Sequence, residues 1–399
     1  MSQNHFEADP VVIVSAARTP MGGFQGALAG KTGPELGAIA VRGAVERAGL
    51  APAAVDEVLM GCVLSAGLGQ APARQAALGA GLDEGTPCTT VNKMCGSGMK
   101  AVMMAHDALM AGHGDAIVAG GLESMTNAPY LLAKARGGMR LGHGEVKDHM
   151  FLDGLEDAYE GRLMGAFAEE TARHYQFSRA EQDAYAIESL ARARRAVECG
   201  TFSHEIVPVT VVTRKDKAEV VNDEQPLSAD PEKIPTLKPA FAKDGSVTAA
   251  NSSSISDGAA ALVLMRLSEA ERRGVTPLAA IRGQTMHAQA PAWFTTAPVG
   301  AISKLMEQTG WTTGEVDVWE VNEAFAVVAM AAIRELGLSH ENMNIYGGAC
   351  ALGHPIGASG ARILVTLLNA LKQTGTTRGV ASLCIGGGEA TAVAIERLT

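Results

Sequence analysis

The sequence predicts an α/β protein whose strands are buried on both faces. Short runs rich in Val, Ile and Ala alternate with stretches of helical periodicity. Those runs are apolar throughout rather than at every second residue, which is how strands covered by helices on both sides read. The same order of elements then returns in the second half of the 399-residue chain.

Each element follows from a local pattern. Residues 11–18, ended by Thr19 and Pro20, read as a buried strand stopped by a proline turn. A helical pattern covers 36–48, a strand 55–64 and a helix 74–81. The Ala/Met-rich stretch 99–111 predicts a long helix, and 115–120 a strand. From Glu123 to about Ala250 the character changes: polar and basic residues mix with Gly and Met, a charged helix spans 169–199, and a Pro-rich connector spans 222–239. This stretch predicts a large insertion with little sheet, placed to cover a site. The α/β pattern resumes at 259–265, followed by strands at 279–283 and 316–321 and by a glycine-flanked cysteine near the end. The echo between the halves lies in the order of elements, with no visible residue repeat.

Composition narrows the function classes. Hydrophobic residues make up 47% of the chain, enough for more than one domain, and the formal net charge of -10 argues against a nucleic-acid partner. A local cluster of positive charge could still hold an anionic small ligand. Six cysteines without any C-x-x-C pairing exclude a disulfide scaffold and a zinc ribbon, and they predict reduced thiols in a cytosol. Residues 1–10 are polar and acidic, and no apolar run reaches the length of a membrane helix. The chain reads as soluble and cytoplasmic, with no membrane partner.

Four segments carry chemistry. Cys384 ends the apolar run Ala381-Ser382-Leu383-Cys384-Ile385 before Gly386-Gly387-Gly388, and Cys95 stands in Val91-Asn92-Lys93-Met94-Cys95-Gly96-Ser97-Gly98. Buried cysteines are usually inert, but two in matching settings suggest two halves converging on one reaction. A thiol at a strand-to-helix junction meets the positive end of a helix dipole, which favours the thiolate. Thiolates attack thioesters when a neighbouring base takes the proton. His354, in Gly353-His354-Pro355-Ile356-Gly357, is held in a loop where it serves as that base, as a donor to an oxyanion, or simply as a helix cap. Asn322, in Asn322-Glu323-Ala324-Phe325, is either a helix N-cap or an amide that holds a water or an oxyanion. Ser252, Ser253 and Ser254 after Asn251 read as turn and capping residues.

With the blocks Asn92 to Gly98, Asn322 to Phe325, Gly353 to Gly360 and Cys384 to Gly388 in this order, the chain resembles the thiolase family, of the acetyl-CoA acetyltransferase type, over essentially its whole length. The resemblance implies a thiolase-like α/β fold of two similar five-layered α/β/α/β/α halves with an inserted loop domain. The divisions would be 1–123 with 251–278, then 124–250, then 279–399. It implies a ping-pong Claisen reaction on coenzyme A thioesters, in which two acetyl-CoA molecules give acetoacetyl-CoA and CoA. Cys95 would be the acylated nucleophile, His354 its activator, and Cys384 the carrier of the α-proton. His354 and a water on Asn322 would stabilise the enolate, and the backbone N–H groups of Cys95 and Gly386 would form a second oxyanion hole. Met164, Phe241, Ala249, Ser253, Ala324 and Phe325 match pocket positions. Three positions depart from the family pattern: Leu163 where many members have His, Leu227 where many have Arg, and Phe294 where several have Met. The resemblance also implies a homotetramer and chemistry without a metal or prosthetic group. The reaction could also run in reverse, as thiolysis of short 3-ketoacyl-CoA. The rival readings are a broader 3-ketoacyl-CoA thiolase of fatty-acid degradation, a ketoacyl synthase and a silent acyl-CoA-binding protein.

Overall fold

The computed structural model describes residues 9–212 and 217–398. The polar amino-terminal stretch therefore lies outside the described residues up to residue 8. Among the described residues, nine strands join in one sheet: β1 (Val11–Arg18), β2 (Glu57–Gly61), β3 (Cys88–Val91), β4 (Ala116–Ser124), β5 (Ser256–Arg266), β6 (Ala279–Ala288), β7 (Val318–Val321), β8 (Arg378–Ile385) and β9 (Glu389–Arg397). Their order is β7-β8-β9-β6-β1-β5-β4-β2-β3, with the short strand Gly22–Gly23 added to β5.

The order is symmetric about the β1·β6 pair. Outward from β1 the pairings are antiparallel to β5, antiparallel to β4, parallel to β2 and parallel to β3. Outward from β6 they are antiparallel to β9, antiparallel to β8 and parallel to β7, ending in a parallel bridge between Trp319 and Met343. The chain is thus an architectural duplication.

Among the described residues, the longer helices are α1 (Gly33–Arg47), α2 (Pro72–Ala80), α3 (Ser97–Met110), α4 (Met164–Tyr175), α5 (Arg179–Glu198), α6 (Ala297–Thr309), α7 (Ala326–Leu336) and α8 (Ser359–Thr374), with α4 and α5 in the insertion and the others in the layers. Alternation along the strands sorts them. Ile13, Ala260, Leu262 and Leu264 face an inner core with α3 and α8, whereas Val12, Val14, Ala261 and Val263 face α1 and α2. On the other half Val321, Val380 and Ala392 face α6 and α7. The result is five layers, α/β/α/β/α. Helix α8 is buried from Ser359 to Leu371 because it has sheet on both sides, so it is apolar around most of its circumference.

Among the described residues, the insertion combines helices and irregular loops with two short antiparallel strand pairs, Tyr130–Leu131 with Lys147–Asp148 and Val209–Val212 with Lys217–Val220. The charged helix expected at 169–199 is two helices. Gln176 turns into the left-handed region at φ 56, and Ser178 with Glu181 forms a capping box that starts α5. Buried Arg18, at the end of β1, ties the insertion to the sheet through Glu205 at 2.6 Å and a bidentate pair with Asp223 at 2.7 and 2.9 Å.

Candidate active site

Cys95 lies between β3 and α3. The preceding Met94 has φ 47, a left-handed conformation that costs on the order of 1–3 kcal/mol in a non-glycine residue. Local bonds hold it there. Asn92 Oδ1 accepts the Met94 N–H at 3.0 Å, while Ser97 Oγ accepts the Lys93 N–H at 2.8 Å and donates to the Met94 carbonyl at 2.6 Å. Gly96 is needed for a close approach: a Cβ there would stand 2.4 Å from Ile385 Cδ1. That approach brings the Cys95 loop onto the end of β8. The N–H groups of Gly386 and of Cys95 itself point at the Cys95 sulfur.

Burial pushes the Cys95 thiol up to about 11, those two N–H groups pull it down, and the charge of Glu123 adds to the rise. The expected bias of the helix terminus toward thiolate is therefore outweighed by desolvation, and the resting group is a thiol. Cys384 is buried in the last turn of β8, its thiol raised well above the ordinary value by burial and then by the charge of Cys95. The two cysteines are not in matching settings. Cys95 precedes a helix, whereas Cys384 sits inside a strand and is followed by the hairpin Gly386-Gly387-Gly388 into β9, with φ 91 and 88 at the last two glycines.

His354 follows Gly353, whose φ is 102 and whose Cβ would stand 2.1 Å from Ser256 Oγ. The His354 N–H donates to the Ser254 carbonyl at 3.1 Å. Nδ1 lies 2.6 Å from Ser359 Oγ, and that hydroxyl donates to the Pro355 carbonyl at 3.0 Å. With its hydrogen committed, Ser359 accepts from Nδ1–H, which leaves the lone pair on Nε2. Nε2 is buried and has no partner among the described residues. Burial, helped by the charge of Arg362, lowers His354 to about 3, so the ring is neutral throughout the physiological range.

Helices α3 and α8 bring the two loops together at glycines. A Cβ on Gly98 would meet Ala361 N at 2.9 Å, and one on Gly360 would meet Met99 N at 2.4 Å. Asn322 ends β7, its N–H donating to the Ser382 carbonyl at 3.0 Å. It caps no helix: α7 starts at Ala326 behind Phe325. Asn322 is 1% exposed, and neither of its side-chain polar atoms has a partner among the described residues. The adjacent Glu323 is saturated by Tyr185 Oη, Ser189 Oγ, Asn344 Nδ2 and the Cys350 N–H at 2.7–3.1 Å, which fixes this turn.

Cys95, His354 and Gly386 open onto a cleft of about 340 Å³. Leu163, Met164, Phe241, Ala249, Ser253, Phe294, Ala324 and Phe325 all line it, whereas Cys384 and Asn322 are buried and are not among its lining residues. Phe325 meets Phe241 and Phe294 edge to face, with centroids 6.0 and 6.4 Å apart. Gly165, at the start of α4, has room for no Cβ because the Phe241 ring lies 2.4 Å away. Phe151, Leu155 and Ile356 also line the cleft, and sequence reasoning missed them. Ile356 lies in the Gly353–Gly360 motif beside His354; Phe151 and Leu155, in the insertion, carry no motif. The serines expected as turn and capping residues, Ser252, Ser253 and Ser254, all line the cleft as well; Ser252 bridges Phe325, and its Oγ donates to the Thr248 carbonyl at 2.6 Å. Leu227 is exposed and does not line the cleft.

A neutral imidazole with an open nitrogen, beside a thiol held by two N–H groups and backed by a second thiol, is equipped for acyl transfer through cysteine. Comparison with known proteins narrows this class. Residues 11–268 match the thiolase N-terminal domain and residues 275–397 the thiolase C-terminal domain. The chain belongs to the thiolase family. It is 50% identical over 389 residues to an acetyl-CoA acetyltransferase of Escherichia coli (97% of this chain, 99% of that protein). It is 50% identical over 390 residues to a mitochondrial acetyl-CoA acetyltransferase of Homo sapiens (97% and 90%). Among solved structures, a thiolase of Ascaris suum in complex with coenzyme A superimposes with a TM-score of 0.93 at 42% identity, covering 98% of this chain and 100% of that one. The Bacillus anthracis acetyl-CoA acetyltransferase does so with 0.95 at 42%, covering 98% and 99%.

Proposed function

We propose that the protein is an acetyl-CoA C-acetyltransferase that joins two acetyl-CoA molecules into acetoacetyl-CoA and CoA, or runs the reverse thiolysis of short 3-ketoacyl-CoA. His354 Nε2 takes the Cys95 proton as the sulfur attacks the thioester carbonyl. The N–H groups of Cys95 and Gly386 receive the oxyanion, and the protonated imidazole returns its proton to the leaving CoA thiolate. Once acylated, Cys95 can no longer ionise beside Cys384, and that coupling is one cause of the raised Cys384 thiol. His354 Nε2 takes the Cys384 proton, and the Cys384 thiolate then removes the α-proton of the second acetyl-CoA. The enolate oxygen is met by His354 and by a water on the unpartnered Asn322 amide. Attack of the enolate carbon on the acetyl group breaks the Cys95 thioester, the departing thiolate takes the proton held by His354, and Cys384 is left as the thiol.

The observation that carries this reading is the open Nε2 of a neutral His354 in the cleft shared with Cys95. The test is acetyl-CoA added to reduced enzyme: stoichiometric CoA release with an acetyl group on the Cys95 peptide. An unlabelled Cys95 sinks the reading and favours a silent acyl-CoA binder. A ketoacyl synthase is disfavoured because decarboxylative condensation needs no base at Cys384.

The finer substrate reading is that acetoacetyl-CoA is thiolysed faster than 2-methylacetoacetyl- or 3-ketohexanoyl-CoA. A strong preference for the longest chain would instead mark a broad 3-ketoacyl-CoA thiolase, a result that apolar Leu163 and Phe294 would accommodate. The chemistry rests on protein side chains, without a metal or prosthetic group. A homotetramer is supported by the apolar exposure of the hairpin 130–148, where Leu141 is 96% exposed. A cytoplasmic location is supported by the sparse, unpaired cysteines; no described helix is long and apolar enough to cross a membrane. The symmetric sheet supports dividing the chain into 1–123 with 251–278, the insertion 124–250, and 279–399.

A further inference from the structure

The mechanism leaves one buried carboxylate beside Cys95 unused. Glu123 is fully buried near the end of β4. Strand register relates it to the catalytic groups. In the first half Gly61 of β2 pairs with Gly121 of β4, and in the second Val321 of β7 pairs with Ser382 of β8. Two residues onward, Glu123 occupies the position that Cys384 holds in the other half. One residue onward, Cys62 matches Asn322. The central helices correspond too: Cys95 stands two residues before α3, and Gly357 two residues before α8. Cys384 of the second half therefore approaches Cys95 of the first, and Glu123 of the first half reaches Gly357 of the second.

That contact is a clamp. Glu123 Oε2 accepts the Gly357 N–H at 2.9 Å and the Val63 N–H at 3.0 Å, and Oε1 accepts the Leu64 N–H at 3.1 Å. Glycines on three elements clear room for the Gly357 carbonyl. A Cβ would lie 2.1 Å from that oxygen at Gly121 of β4, 2.7 Å at Gly61 of β2 and 3.0 Å at Gly98 of α3. On Gly357 itself a Cβ would lie 2.7 Å from Glu123 Oε2. The Gly357 peptide, three residues after His354, is gripped on both sides by the half that carries Cys95.

We propose that Glu123 is a positioning residue, which fixes the His354 loop through the Gly357 peptide so that Nε2 meets the Cys95 thiol. The proposal rests on the acyl-transfer reading. Releasing the clamp displaces the imidazole while leaving the apolar cleft in place, so the acylation rate falls and acetyl-CoA half-saturation does not. A misplacement near 1 Å costs about 100-fold in rate.

The experiment is single-turnover acetylation of Cys95 by acetyl-CoA, read by mass spectrometry on the full-length protein. Glu123→Ala should slow it by about 10- to 100-fold with half-saturation within about threefold. Glu123→Gln keeps an acceptor for Gly357 and Val63 and should restore most of the rate. Glu123→Asp retracts the carboxylate by one methylene, and it tests the same point should the alanine variant fail to fold. In a His354→Ala background the clamp has no imidazole to place, so adding Glu123→Ala should change the residual rate by less than about twofold. Equal cost with and without His354, no rescue by Gln, or an unchanged rate in a folded Ala or Asp variant overturns the proposal. A wild-type enzyme that takes no acetyl group on Cys95 fails the acyl-transfer reading itself, which is a separate outcome.

Discussion

Gly360→Ala should separate activity from stability. The added Cβ would stand 2.4 Å from Met99 N and 2.7 Å from Met99 Cβ, against the 3.4 Å at which ordinary contact begins. Helices α3 and α8 must therefore part by about 1 Å at their N-termini, between the loops of Cys95 and His354. Overpacking of this kind costs about 1–3 kcal/mol. Replacing a helical glycine by alanine returns about 1 kcal/mol, because the unfolded chain has less freedom to lose. The net loss of stability is then at most about 2 kcal/mol, which a chain of this size tolerates. Catalysis has no such offset: a 1 Å misplacement of reacting groups costs about 100-fold. Denaturant midpoints and single-turnover acetylation of Cys95, measured on one preparation, give both quantities. An acetylation rate within about threefold of wild type would refute the claim that this glycine contact sets the distance between base and nucleophile.

Two further outcomes are expected. Asn322→Ala should leave acetylation of Cys95 intact and slow condensation by about 100- to 1,000-fold, since the lost group serves only the enolate; equal loss in both half-reactions would assign Asn322 to folding. Glu123, with its ordinary value of 4.5 pushed up to about 7 by burial, holds a proton in the folded state that the unfolded state releases. Its contribution is thus fully present below pH 4.5 and lost as pH rises through 7. The stability advantage of wild type over Glu123→Gln should shrink by about 3 kcal/mol between pH 4.5 and 8 in denaturant titrations, and a flat difference would contradict the raised value.

Much of this was legible in the chain because its signals are local. Apolar strands, the Ala/Met-rich α3 and the glycine-bracketed Cys95 and His354 announce themselves within ten residues. The division of 169–199 into α4 and α5 was also local, in the Ser178–Glu181 capping box, but the charged periodicity running across it masked the break. What stayed hidden depends on contacts between distant residues. Desolvation of Cys95 comes from packing against residues distant in sequence, among them Val63, Met125 and Ile356, and it overrides the helix terminus that the sequence does display. Ser359 orients His354 five residues away across a turn. Asn322 has the look of an N-cap, yet the helix behind it starts only at Ala326. Glu123 bonds to a peptide 234 residues away, and only the strand register reveals that it is the counterpart of Cys384.

The central claim, that Cys95 carries the acyl group while Cys384 carries the proton, is tested most directly by Cys384→Ala in deuterated buffer. The account predicts a full equivalent of acetyl group on Cys95, no deuterium in the methyl group of the second acetyl-CoA, and no acetoacetyl-CoA. Condensation or methyl exchange at the wild-type rate in that variant would contradict it.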